Sequence, residues 1–255
     1  MTDTDRNDPL NDDEHPLPDA PLPDSTAIGH EHPDVTGGWL RPAVFGAMDG
    51  LVSNFALVMG VTGGSDDTKP VLLAGLAGLA AGAFSMAAGE YTSVASQSEF
   101  ALAQIEVERR EIQRNGPAEE AELAAMYVDR GFDEDTAREA AAQIHRDLDN
   151  AVDVHAREEF GVDSNDLASP RLAAVSSFFA FAMGALIPLL PLLIGIDAVW
   201  PIIVLSLVGL FACGALVTNL TSRNWWFGGV RQLVLGGAAA GVTYLIGDLV
   251  GASLG

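Results

Sequence analysis

Two long apolar spans separated by a short polar turn, Leu40 to Thr62 and Pro70 to Gln97, constrain this chain more than any other feature. A helix needs about 20 apolar residues to cross a bilayer, and each span is that long. Three further spans follow: Leu172 to Ile194, Ala198 to Leu220 and Trp226 to Leu249. In hydrocarbon the backbone must satisfy its own hydrogen bonds, so spans of this length are helices. The expected fold is an all-α membrane protein with five transmembrane helices. Pro188 and Pro191 should break the third near its end, and Trp200, Trp225 and Trp226 sit where interfacial aromatic belts form.

Composition fits only if charge is segregated. The mean hydropathy is +0.24, yet the formal net charge of the 255 residues is −22. Ten of the 35 acidic residues precede residue 39, and 19 fall from Glu99 to Asp166. Residues 1–38 read as a disordered acidic tail; its His15, His30 and His32 offer metal ligands, with a solvated tail as the favoured reading. Residues 39–97 hold transmembrane helices 1 and 2, residues 98–168 form a soluble helical insert, and residues 169–255 hold helices 3 to 5. So acidic a chain predicts no nucleic-acid partner, and a single lysine, Lys69, suggests a salt-rich, halophilic cytoplasm. Cys213 is alone and reads as a small buried hydrophobe. No basic segment followed by an apolar core marks a signal peptide.

Five spans put the termini on opposite sides. Arg41, Arg171, Arg223 and Arg231 flank the spans on the side of the tail and insert, and only Lys69 falls opposite. The positive-inside rule then places the tail and insert in the cytoplasm and the C-terminus outside, in a multi-pass protein of the cell membrane. Small residues recur at four-residue spacing (Gly46 and Gly50, Gly60 and Gly64, Gly78 and Gly82), which lets membrane helices approach closely.

The insert predicts three helices. Glu99 to Arg114 stops at Asn115-Gly116-Pro117, Ala118 to Arg130 stops at Gly131, and a long third helix runs from an Asp133 cap to Phe160. The third carries an apolar stripe of Ala137, Ala141, Ile144, Leu148 and Val152. Glu108 and Glu111 are three apart, as are Glu119 and Glu122 on the next helix, and each pair shares a helix face. A fold at Gly116 would bring the pairs together, with His155 and Glu159 completing a metal shell. Acidic helix faces are usually solvated faces, and that reading stands beside the metal one. Against it, Glu108 falls on the apolar stripe of Ala101, Ile105 and Ile112, where a charge needs a partner. Oxygen and imidazole ligands suit Fe(II), Mn(II) or Zn(II). The Glu-x-x-His signature of di-iron bundles is absent, and no nucleophile–base pair suggests an enzyme.

The spans carry their own charges. A carboxylate at the bilayer centre costs at least about 2.5–3.5 kcal/mol and reads as functional by default. Asp49 is the sharpest case, with Asn54, Met86 and Glu90 as further candidates for an ion path. Asp49 supplies charge, and Met86 offers a soft thioether or ordinary packing. Glu90 sits toward the interface.

Met48-Asp49-Gly50-Leu51-Val52-Ser53-Asn54-Phe55, Gly82-Ala83-Phe84-Ser85-Met86-Ala87-Ala88-Gly89-Glu90-Tyr91, the four-glutamate spacing and Gly184-Ala185-Leu186-Ile187-Pro188-Leu189-Leu190-Pro191 together resemble the vacuolar iron transporter family, in its prokaryotic branch. The resemblance covers Trp39 to about Val250. It implies five membrane helices, a homodimer, a cytoplasmic metal-binding insert, and export of Fe(II), often Mn(II), in exchange for protons. By position it makes Asp49 and Met86 path residues, and Glu108, Glu111, Glu119, Glu122 and Glu159 metal ligands. Two positions depart. Gly78 stands where some eukaryotic members carry a glutamate, so that either Glu90 takes over or the path has fewer charges. His155 stands where they carry methionine, which implies either a preference shifted toward Zn(II) or Fe(II) or a site built differently.

The expected function is therefore a proton-coupled exporter of Fe(II) and/or Mn(II), not an enzyme. The rival expectation is a membrane-anchored metal-binding or sensing protein that does not transport.

Overall fold

The computed structural model describes residues 38–65, 67–220 and 224–254. The expected tail, its three histidines and Arg223 lie outside the described residues.

The described residues are helical apart from short connections. They form α1 (Leu40–Gly64), α2 (Thr68–Asp129), α3 (Glu134–Ile144), α4 (Leu148–Glu159) and α5 (Pro170–Leu186). A 3₁₀ turn (Ile187–Leu189) and a one-turn α6 (Leu190–Leu193) then lead into α7 (Val199–Leu220) and α8 (Trp225–Leu254). Five helical segments are long and apolar enough to cross a membrane: α1, the first part of α2, α5 with its continuation to Leu193, α7 and α8. The chain is a multi-pass, all-α membrane protein. Pro188 and Pro191 do interrupt the third span near its end, where the backbone tightens into the 3₁₀ turn.

Local chemistry sets the helix ends. Asp67 accepts from the Lys69 amide to open α2, Asp133 from Thr136 to open α3, and Asp147 from Asn150 to open α4. Ser169 accepts from Leu172, with Pro170 in the first position of α5, where a missing N–H costs nothing. Gly131 and Gly161 take φ of 101° and 65° just beyond α2 and α4, in the left-handed region that glycine enters freely.

Three helix limits differ from the sequence expectation. The second span and the first insert helix, expected to meet at Gln97 and Glu99, are one unbroken run of α2. The long helix expected from Asp133 to Phe160 is two helices, because the Asp147 carboxylate caps a fresh start after a turn at His145 to Asp147. The stop at Asn115-Gly116-Pro117 is a single non-helical residue, Asn115 (φ −146°, ψ 48°), between two helical runs. Pro117 follows in the first turn of the second run, where its ring is tolerated.

The membrane core is built around α1, which packs against α2, α5, α7 and α8. Leu51, Phe55, Val58 and Met59 join Val71, Leu189, Ile202 and Leu210 in its main apolar cluster. The expected small-residue spacing marks the tightest seams. A Cβ added at Gly46 would meet the Ser177 carbonyl at 2.8 Å, and one at Gly50 would run into the Phe181 carbonyl. Gly60, Gly63 and Gly64 do the same job against α8. Gly50→Val should therefore destabilise the protein by on the order of 3 kcal/mol through overpacking against backbone. Thermal unfolding in detergent checks this, with Gly241→Ala as the control, since a Cβ there meets nothing within 4 Å. Equal melting temperatures for the two variants would remove the seam argument.

The insert has its own small cores. Ile112, Ala151 and Val152 form one, and Leu123, Ala124 and Ala141 another. Ala137, Ala141 and Val152, all on the expected stripe, are fully buried or nearly so. Arg109–Asp149, 2.7 Å, and Arg130–Glu158 tie α2 to α4 at the surface. The Arg109–Asp149 pair, with Asp149 largely exposed, adds little stability, whereas Glu158 is mostly buried.

Candidate functional site

Two places gather the candidate residues, and α2 contributes to both. Met86 and Glu108 lie 22 residues apart in α2, about 33 Å along its axis.

In the insert, Glu108, Glu119 and His155 each offer a ligand atom, and these atoms lie within 4.8 Å of one another. On a straight helix Glu108 and Glu119 would stand about 16 Å apart, so the break at Asn115 is what lets them meet. His155 comes from α4 and is fully buried, and Glu108 is only 4% exposed. The His155 Nδ1 lies 2.7 Å from a Glu159 carboxylate oxygen and 3.1 Å from Glu108 Oε1. The Glu159 contact has hydrogen-bond geometry. Glu108 Oε1 is buried with no hydrogen-bond partner.

Glu111 and Glu122, the outer members of the two glutamate pairs, are exposed. They act on the cluster through charge. Burial, the Glu159 charge and, less strongly, Glu119 and Glu111 push the Glu108 carboxyl up to about 7, with His155 opposing. Burial and then the Glu122 charge raise Glu119 as well. A group of carboxylates with one imidazole and no cationic side chain among them is electrostatically unfavourable by itself. A divalent cation reverses the sign of that energy, and its ligand set of oxygens with one nitrogen suits Fe(II), Mn(II) or Zn(II).

Sequence reasoning missed His145. It caps the C-terminal end of α3, and its Nε2 stands 3.0 Å from the Nε2 of His155. Burial, and then the proximity of His155, lower its pKa. Ten residues of unbroken helix would have separated the two rings by about 15 Å. The cap signal at Asp147 was the only trace of their meeting.

The second place is an open cavity of about 260 Å³ on the outer face of the membrane-spanning helices, where Ser53, Leu57 and Ser85 are exposed. Asp49, Ser53, Asn54 and Leu57 of α1 line it, with Gly78, Gly82, Ser85 and Met86 of α2 and Phe181 of α5. Among the described residues no cationic side chain pairs with Asp49. Asn54 is buried, and its Nδ2 donates to the Ala185 carbonyl at 2.6 Å. Its Oδ1 has no partner, and a Cβ added at Gly78 would come within 3.1 Å of it. Three of the four intramembrane candidates, Asp49, Asn54 and Met86, thus share one cavity. Glu90 lies one turn further along α2 and does not line it.

The sequence model of the VIT family matches residues 40–248. A protein named vacuolar iron transporter from Acanthamoeba castellanii is 37% identical, over 87% of this chain and 83% of its own length. Vacuolar iron transporter homolog 2 of Oryza sativa subsp. japonica is 35% identical over 82% of this chain and 88% of its own. Vacuolar iron transporter 1 of Arabidopsis thaliana is 28% identical over 84% of this chain and 87% of its own.

Proposed function

The chain belongs to the VIT family, and on that premise we propose that it is a dimeric, proton-coupled carrier that exports Fe(II) and/or Mn(II) from the cytoplasm. The insert collects the ion on Glu108, Glu119, His155 and Glu159, with Glu111 and Glu122 adding negative potential at the rim. The ion then crosses on Asp49, Asn54 and Met86, at a seam between two copies. Asp49 binds either the metal or a proton, and this exclusive choice couples the two fluxes. Glu90 stands at the cytoplasmic mouth of the path, where its charge draws cations in. The tail and insert face the cytoplasm, as the flanking arginines require.

The observation that carries the proposal is the intramembrane cavity, where a carboxylate without a counter-ion among the described residues shares a wall with an orphan amide oxygen and a thioether. A receptor that merely displayed its insert on a membrane would have no use for these groups, since an intramembrane charge costs stability.

Purified protein in liposomes, loaded with a metal-sensing dye and a pH-sensing dye, tests the proposal. Fe(II) and Mn(II) should enter down their gradients, with protons moving the opposite way, and an imposed pH gradient should accelerate uptake. Ca(II) should be a poor substrate, because the thioether favours transition metals. Tight metal binding with no flux for any ion would favour the sensing protein instead.

A further inference from the structure

We propose that His145 and His155 form a two-nitrogen clamp for a late divalent transition metal, Zn(II), Ni(II), Co(II) or Cu(II), at the edge of the insert's carboxylate cluster. The inference deepens the metal-collecting role given to the insert above and adds a ligand outside the glutamate pattern.

The geometry rests on where each ring nitrogen is committed. The His155 Nδ1 is 2.7 Å from Glu159, in hydrogen-bond geometry, and 3.1 Å from Glu108. Donation of Nδ1–H to a carboxylate is the usual way a protein orients a metal-binding imidazole, and it leaves the lone pair on Nε2. That Nε2 faces the Nε2 of His145 at 3.0 Å. Two nitrogens bound at about 2.1 Å to one ion stand about 3.0 Å apart in adjacent octahedral positions and about 3.4 Å apart on a tetrahedral Zn(II), so the observed spacing fits the former and needs a small widening for the latter. The rings meet edge to face, at 76° with centroids 5.2 Å apart, so neither ring blocks the other's nitrogen. Without metal the same spacing is bridged by one N–H, and a change of tautomer in His145 frees both lone pairs. His155 is fully buried, whereas His145 is partly exposed and gives an ion its way in.

The clamp makes the insert two-faced. Carboxylate oxygens on the Nδ1 side suit Mn(II) and Fe(II), which His155 joins as a ligand only when Nδ1 is deprotonated; with Nδ1–H given to Glu159 the ring serves the clamp through Nε2 instead. The pair of imidazoles on the Nε2 side suits the ions later in the series, whose affinity for nitrogen is higher. His145 thereby becomes a specificity residue. A cell short of iron but rich in zinc would find the insert occupied through this side.

The chain has five histidines in all: His15, His30, His32, His145 and His155. The 255-residue chain in detergent, with His15, His30 and His32 changed to glutamine, therefore retains only the two imidazoles in question. With one equivalent of Cu(II), pulsed EPR should count two coordinated imidazole nitrogens. His145→Gln should leave one, and should weaken Ni(II) affinity by at least about tenfold while changing Mn(II) affinity less than twofold. A count of one nitrogen before the substitution overturns the clamp. So does equal loss of Ni(II) and Mn(II) affinity in His145→Gln, because that pattern marks a residue with a merely structural role. His145→Ala, checked for an unchanged melting temperature, repeats the measurement if glutamine itself ligates. The transport reading stands or falls separately. Fe(II) or Mn(II) flux with a count of one nitrogen sinks only the clamp. A count of two nitrogens without flux sinks only the carrier.

Discussion

Asp49→Asn is expected to bring metal flux in proteoliposomes down at least about 100-fold, a loss of about 2.7 kcal/mol of barrier lowering. Asparagine keeps the size and the hydrogen-bonding edge of the side chain and removes only the charge. That charge is the one ionic ligand in a cavity whose other oxygen and sulfur donors, Asn54, Ser53, Ser85 and Met86, are neutral. A dication leaving water for a cavity in the membrane must recover its hydration energy, and neutral dipoles alone recover too little of it. The same substitution should not harm the fold. A half-buried carboxylate with no cationic partner among the described residues costs stability, so the asparagine variant should melt at the same temperature or higher. Activity lost with stability kept is the signature of a charge held for function. Asp49→Glu should retain part of the flux, since the charge survives at a displaced position. Proton movement driven by metal should vanish in Asp49→Asn along with the metal flux. Flux above half the wild-type rate in the asparagine variant would mean that ions cross elsewhere.

The membrane half was legible because lipid leaves a chain so few options. Apolar length alone located the five spans, and Pro188 and Pro191 announced the irregular end of the third. Gly46, Gly50, Gly60 and Gly64 announced close seams, but not which helices they face, since small residues say only that something comes near. Ala185, 131 residues from Asn54, takes up the amide, and no local pattern encodes such a pairing. In the insert, Glu108 betrayed itself by standing on an apolar stripe, and it is buried. The break between α3 and α4 went unread for a physical reason. The stripe from Ala137 to Val152 keeps its phase across the turn, so periodicity saw one helix. Asp147 is a cap, but in a region crowded with Asp and Glu a capping carboxylate looks like any other surface acid. The cost of that misreading was His145, which joins the cluster only because the helix turns.

The fold of the insert should loosen as pH rises from about 4.5 to about 7 when metal is absent, and this effect should trace to Glu108. Its carboxyl titrates near 7 in the folded chain against an ordinary value of 4.5, chiefly because it is buried and faces Glu159. The sign follows from proton counting. Between pH 4.5 and 7 the folded state holds a proton that the unfolded state has released, so raising the pH favours unfolding. A group raised by that much contributes a loss on the order of 3 kcal/mol, absent below the window and complete above it. Hydrogen exchange at the α4 amides, corrected for intrinsic rates, should therefore be slowest near pH 5 and fastest above pH 8. Mn(II) should invert the trend. The ion and the proton compete for the same carboxylate, so affinity should climb about tenfold per pH unit below 7 and protection should rise with it. Glu108→Gln keeps the shape of the side chain and cannot ionise. It should flatten the metal-free pH profile and abolish most of the Mn(II) protection at once. A profile that keeps its slope in Glu108→Gln would assign the titration to another group of the cluster. A wild-type profile with no slope would mean that Glu108 is ionised and paired throughout, and that burial there costs nothing for a cation to repay.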